Sequence, residues 1–358
     1  MLMASLYLLS IQPYSGKSAV ALGIALELRA RGFAVGYMKP LGTVPKEMEG
    51  RQVDADALFM QRTLELPHPV DVICPVILTA DLREAALLGQ APPLRSRVED
   101  VYWTLSKGQD LLILEGAGSL GTGMSLDLAP AQIADLTDAH VVLVIKGDHT
   151  MAIDDVLLAK QVLKERLTGV VVNVVPRPLL NWIRESMAPF LERQGLYLLG
   201  VIPEDRLLTA ITVGELADVL GGQILCCPEK RGELVQSFMV GAMGAQAAYR
   251  YFLRQTDKAV ITGGDRTDIQ MAALNTPTKC LILTGNLYPE MGVITRAREL
   301  GVPVILVPTD TFHTVGLVEE IWGHIRLSSP QQVERLWEIT RREFDFVTLG
   351  KVLDLPAR

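Results

Sequence analysis

What most restricts the fold of this chain is a rhythm. Over the first 205 or so residues, short continuous apolar runs alternate with helical patterns. The runs are "SLYLLS" (5–10), "FAVGYMKP" (33–40), "DLLILEG" (110–116), "HVVLVIKG" (140–147), "GVVVNVVP" (169–176) and "LYLLGVIP" (196–203). Between the first two, a helix is expected from Lys17 to Ala30, with Val20, Ile24 and Leu28 on one face and Gly32 as its stop. "AIDDVLLAKQVLKER" (152–166) is another helical pattern. Strands with no polar alternation are buried on both faces, so an α/β fold with a doubly wound parallel sheet is expected. The rhythm restarts after "VGELADVLGG" (213–222), with "QILCC", "KAVITGG", "CLILTG" and "VPVILVP" as strands of a second, smaller α/β domain. Between these strands, Glu233 to Arg254 reads as one long helical pattern interrupted by Gly241 and Gly244. The expected organisation is a nucleotide-binding domain over 1–210, an α/β domain over 211–325 and an amphipathic helical tail over 326–358 that packs on one of the two.

Composition removes several function classes. With 49% hydrophobic and 21% charged residues the chain can build two cores and is not a disordered polymer. A net charge of -7 without a basic stripe argues against nucleic-acid binding. Cys74, Cys226, Cys227 and Cys280 lack metal-ligand spacing and read as buried thiols. No run approaches the roughly 20 apolar residues of a membrane span, and the apolar start lacks a basic leader. A cytoplasmic location is expected.

Ligands of an open parallel sheet bind beyond the carboxyl ends of its strands. The first such place is "SIQPYSGKS", where Gly16-Lys17-Ser18 stands between the first strand and the first helix. Backbone N–H groups of Tyr14, Ser15, Gly16, Lys17, Ser18 and Ala19 could cradle phosphate there, Lys17 could reach the terminal phosphates and Ser18 a Mg²⁺ ion. The alternative is an ordinary turn with an exposed lysine. Ile11 stands where a P-loop begins with glycine, and Pro13 removes one N–H. Phosphate binding weaker than in a standard P-loop is therefore expected.

Other strand ends carry further candidates. Lys39 could neutralise a second anion, or could be a snorkelling surface lysine. Asp54 reads as a helix cap and Asp56 as a first-turn acid. Glu115 ends a buried strand, where a carboxylate needs either Mg²⁺ or a lysine partner. Asn173 could pair with a purine edge or cap its own turn.

Taken in order, Lys17, Ser18, Lys39-Pro40, the D-A-L-x-x-Q of Asp56 to Gln61, the E-G-A-G of Glu115 to Gly118, N-x-x-P at Asn173 and "LGVIPED" at 199–205 resemble the dethiobiotin synthetase family of P-loop ATPases, relatives of the cobyrinic acid a,c-diamide synthases. The resemblance spans roughly residues 1–210. It implies ATP as cofactor, Ser18, Asp56 and Glu115 around Mg²⁺, Lys17 and Lys39 as the catalytic lysines at the phosphates, and Asn173 and Pro203 at the base. "VITGGDRTDIQMAAL", "CLILTG", "PEMGVI" and "VPTDTFHTV" resemble the DRTGG domain. The tandem is similar to the amino-terminal half of long bacterial phosphotransacetylases, without their acetyl-transfer domain. The chain departs from the name motif at Asp265-Arg266-Thr267-Asp268, where Asp265 and Arg266 read as an ion pair closing a turn, with ligand contact as the alternative.

These resemblances imply a nucleotide-sensing regulatory protein, with a small-molecule effector at the second domain and a homodimeric assembly. The alternative is an ATP-dependent ligase that activates a carboxylate or carbamate.

Overall fold

The computed structural model describes residues 3–12, 14–48, 50–147, 152–321, 327–356 and 358. Pro13, and with it the expected loss of an N–H, lies outside the described residues. The chain divides into two units, Met1–Glu204 with Glu334–Arg358, and Asp205–Val333. Strands of the two larger sheets are numbered here in chain order.

The first unit holds six strands: β1 (Ala4–Leu9), β2 (Val35–Met38), β3 (Leu111–Glu115), β4 (His140–Lys146), β5 (Leu167–Val175) and β6 (Tyr197–Pro203). Their order is β6-β5-β4-β1-β3-β2, and every neighbouring pair is parallel. Both faces are covered. Tyr7, Leu112, Leu143 and Val170 pack with Val98, Ile133, Val156 and Ile183 on one side, while Leu6, Leu8, Ile113, Val142 and Val144 are equally buried on the other. This is why the strands read as unbroken apolar runs. The sheet grows in both directions from β1, so the crevice at its carboxyl end is the topological switch point.

Helix α1 (Lys17–Ala30) follows β1, with Gly32 in the left-handed region at φ 88° just beyond its end. Helix α2 (Ala55–Thr63) is preceded by a hairpin, Pro45–Met48 paired with Arg51–Asp54. Residues 334–358 belong to this unit. Trp337 Nε1 donates to Glu27 Oε2 of α1 (2.9 Å), and Asp345 N donates to Leu199 O (2.7 Å). A Cβ on Gly23 would lie 2.2 Å from Thr340 Oγ1, so the absent side chain is what lets the last helices seat on α1.

The second unit holds β7 (Gln223–Cys226), β8 (Ser237–Val240), β9 (Lys258–Gly263), β10 (Thr278–Thr284) and β11 (Val304–Leu306), in the order β7-β11-β10-β9-β8. Only β7 is antiparallel to its neighbour. Alternation is plain here: Val260, Leu281 and Leu283 face Phe252, Ile269 and Val293, whereas Ile261, Ile282 and Ile305 face Val213, Leu216 and Val318.

The long helix expected over 233–254 does not form. Leu234–Val235 and β8 are extended, and only Ala245–Phe252 is helical. Val235, Phe238 and Val240 favour strand, and Gly241 and Gly244 break a helix. Gly241 has its own reason to be glycine, since a Cβ there would meet Ile269 Cγ2 at 2.4 Å. Nor do Asp265 and Arg266 pair as expected. Arg266 Nε instead reaches Asp268 Oδ1 at 3.2 Å, and its Nη2 donates to Met243 O. Asp268 stands in the first turn of the following helix, where a carboxylate is favoured.

Candidate functional site

The loop between β1 and α1 folds around two left-handed residues, Tyr14 (φ 56°) and Gly16 (φ 80°). Gly16 caps α1 without a side chain, and no acidic residue stands in the first turn, so the first N–H groups of a 14-residue helix face the loop. Tyr14 is largely exposed, Ala19 is buried, and Ser15 is fully buried. Among the described residues the Ser15 hydroxyl has no hydrogen-bond partner. A buried polar atom left so costs stability unless something binds there. Ile11 is half-buried and packs against the core beneath, which accounts for the lost first glycine. Lys17 Nζ donates to Ser10 Oγ at 3.0 Å. Burial lowers the Lys17 pKa, opposed by the Glu115 carboxylate and reinforced by the Lys39 charge.

The ends of β2, β3 and β5 lie around this loop. At the end of β3, Glu115 is 2% exposed; its Oε1 accepts from Ser18 Oγ (2.7 Å) and its Oε2 from Tyr37 OH (2.8 Å). Just past β2, Lys39 is 1% exposed, which removes the snorkelling alternative. Its Nζ lies 2.5 Å from Asp56 Oδ2, 2.9 Å from Asp54 Oδ1 and 3.9 Å from Glu115 Oε1. Burial alone would lower the Lys39 pKa, but Glu115, Asp56 and Asp54 outweigh it and hold the ammonium charged. Burial raises the Glu115 pKa, with Lys39 pulling the other way. Burial also raises the Tyr37 hydroxyl, helped by Glu115, so Tyr37 is a donor.

Asp54 is the cap of α2, accepting from Asp56 N and Ala57 N, and Asp56 stands in the first turn. Asn173 neither caps its own turn nor stands open: it is buried, and its Nδ2 donates to Ser15 O at 2.8 Å, bracing the loop from β5. Pro203 ends β6, three strands from β1, paired in register with Val175. Ser18, Lys39, Asp56 and Glu115 are thus brought together, Lys17 and Asn173 flank them, and Pro203 stands apart.

Sequence reasoning found Asp54 as the helix cap but missed Tyr37 and the pairing of Asp54 with Lys39. Tyr37 had a signal, because it is the one hydroxyl in its strand and lies two residues before Lys39, hence on the same face. Gly116 is explained only by tertiary structure, since a Cβ would meet Leu9 Cδ2 at 2.2 Å.

A serine hydroxyl and two carboxylates are hard oxygen donors that suit Mg²⁺. Among the described residues no three His, Cys, Asp or Glu side chains form a metal cage by themselves.

The AAA domain family matches residues 4–212, and the DRTGG domain matches residues 215–321. The chain is similar to the phosphate acetyltransferase of Nitratidesulfovibrio vulgaris, at 25% identity over 98% of this chain and 51% of that protein. The phosphate acetyltransferase of Deinococcus radiodurans is also 25% identical, over 99% of this chain and 52% of its own length. The chain therefore spans about half the length of these relatives. The ATP-dependent dethiobiotin synthetase BioD of Methanocaldococcus jannaschii is 25% identical over 45% of this chain and 75% of that protein. Among solved structures, the CBS and DRTGG domains of Clostridium perfringens pyrophosphatase with diadenosine tetraphosphate align with TM-score 0.28 and 17% identity, over 49% of this chain and 87% of that one. The signal recognition particle receptor FtsY of Elizabethkingia anophelis with GDP aligns with TM-score 0.37 and 13% identity, over 56% and 57% of the two chains.

Proposed function

This chain belongs to the AAA domain family, its P-loop domain followed by a DRTGG domain, and from that premise we propose that it is an ATP- and Mg²⁺-binding regulatory protein of the phosphotransacetylase amino-terminal type. The observation that carries the reading is the Ser15 hydroxyl, fully buried and without a partner among the described residues, in the turn that opens α1. A phosphate oxygen seated there would satisfy it, together with the first N–H groups of the helix. Lys17 would leave Ser10 for the phosphates. Ser18, Asp56 and Glu115 would hold the metal, which when bound neutralises phosphate charge. Asn173 keeps the loop in shape through Ser15 O. Lys39 stays charged beside the terminal phosphate.

Regulation is favoured over turnover because no catalytic set is recognisable among the described residues of the second domain, and Ile11 stands where a P-loop begins with glycine. The DRTGG domain would carry the nucleotide state onward, as an effector-binding module or to a partner, in a homodimer. A second reading, ATP-dependent ligation of a carboxylate, is supported by Lys39, a second cation of the site that is buried at the end of β2. Calorimetric titration separates the outcomes. Wild type should bind ATP weakly and only with Mg²⁺, and Lys17→Ala should abolish the heat. Equal affinity in both proteins overturns the site. Steady phosphate release, stimulated by a carboxylate, would favour the ligase.

A further inference from the structure

The Lys39 ammonium is buried in a cluster of three carboxylates, and the three are not equivalent. Asp54 is saturated: Oδ1 accepts from Asp56 N, Ala57 N and Lys39, and Oδ2 accepts from Val44 N at 3.0 Å. It is a fixed anion that holds a hairpin to a helix. Glu115 spends one oxygen on Ser18 and the other on Tyr37. Asp56 differs, because its side chain is 37% exposed and its Oδ2 is held by Lys39 at 2.5 Å. Lys39 itself cannot reach water, being 2% exposed at the side chain.

Resting on the nucleotide-site reading above, we propose that the Lys39 ammonium is the resident cation of this cluster and competes with a divalent metal ion for Asp56. The ammonium supplies the positive charge that three carboxylates at the carboxyl end of the sheet require. A metal entering alone must take Asp56 from a partner already in contact with it. A metal entering with a polyphosphate need not, because the phosphates offer Lys39 a new anion. The empty site therefore resists metal by itself, and metal and nucleotide enter together. Asp56 is the carboxylate that changes hands, and Asp54 keeps Lys39 in reach throughout.

The test uses Mn²⁺ as the probe, with the full chain and no nucleotide, followed by electron paramagnetic resonance and by melting temperature. Wild type should bind Mn²⁺ weakly and melt at the same temperature with or without it. Lys39→Met should bind Mn²⁺ at least about tenfold more tightly and gain melting temperature on adding it. Adding Asp56→Asn to that variant should abolish the gain. If Lys39→Met does not fold, Lys39→Met/Asp54→Asn removes one buried negative charge along with the positive one, keeps a good helix cap, and should show the same gain. Mn²⁺ affinity no higher than wild type in a folded variant overturns the proposal, as does tight Mn²⁺ binding by wild type. Because nucleotide is absent, a failed ATP titration counts against the function and not against this competition.

Discussion

Removing the Tyr37 hydroxyl would take from Glu115 Oε2 the donor that lies 2.8 Å away. Both groups are buried, so Tyr37→Phe should cost roughly 1–3 kcal/mol, the usual penalty for stranding a buried acceptor. Urea unfolding would measure it, and an unchanged midpoint would mean that water replaces the hydroxyl. A second residue makes a pH prediction. Lys258 is buried and donates to Gln255 O, Thr276 Oγ1 and Pro277 O, and burial lowers its pKa to about 8. Between that value and the ordinary lysine value of about 10.4 the unfolded chain binds more protons, so stability from this group rises with pH. Unfolding midpoints of wild type and Lys258→Met should therefore diverge in favour of wild type from pH 8 to pH 10. Parallel curves would show that Lys258 does not titrate there. Lys39 and Glu115 were legible because each stands where a strand ends, and Lys17 and Ser18 because they open the helix after the first strand, all of which the sequence marks. Tyr37, Asp54 as a partner of Lys39, and the hold of Asn173 on Ser15 were not, since each depends on which strands become neighbours.

At the scale of elements, the contact between α1 and the helix Pro330–Glu343 sets two rules against each other. Gly23 sits inside α1, where alanine is ordinarily favoured by about 1 kcal/mol. Yet a Cβ there would meet Thr340 Oγ1 at 2.2 Å and Thr340 Cβ at 2.8 Å. Overpacking costs about 1–3 kcal/mol, so Gly23→Ala should destabilise, and adding Thr340→Ala should recover part of the loss. Thermal unfolding of the two variants checks the sign, and a stabilised Gly23→Ala would show that the tail gives way. The same scale explains where periodicity succeeded. The helix Lys17–Ala30 and the fully buried strands were legible because packing agrees with pattern. The stretch 233–254 was misread because Leu, Val, Phe and Met recur at spacings that suit both a helix and a strand followed by a helix. The hairpin before α2 was invisible, having polar strands and little burial.

Across the whole molecule, the tail is part of the P-loop unit. Arg358 reaches Asp110 and Gly32 O, Arg31 lies over the Phe346 ring, and Trp337 meets Glu27. Deleting 334–358 should therefore lower the melting transition of the P-loop unit and leave that of residues 205–333 where it is. Calorimetry of the shortened chain beside isolated 205–333 tests this, and a shift of both transitions would show that the division is wrong. Among the described residues no helix is long and apolar enough to cross a membrane. The division at Glu204 and Glu334 also has a temporal meaning. A ribosome delivers a chain from its amino end, and domains tend to fold as they emerge. Residues 205–333 are thus delivered whole while the older P-loop unit still lacks the face that covers α1. The half made first is finished last, and until residues 334–358 appear its nascent form presents Gly23 and Glu27 to whatever chaperone attends the exit tunnel.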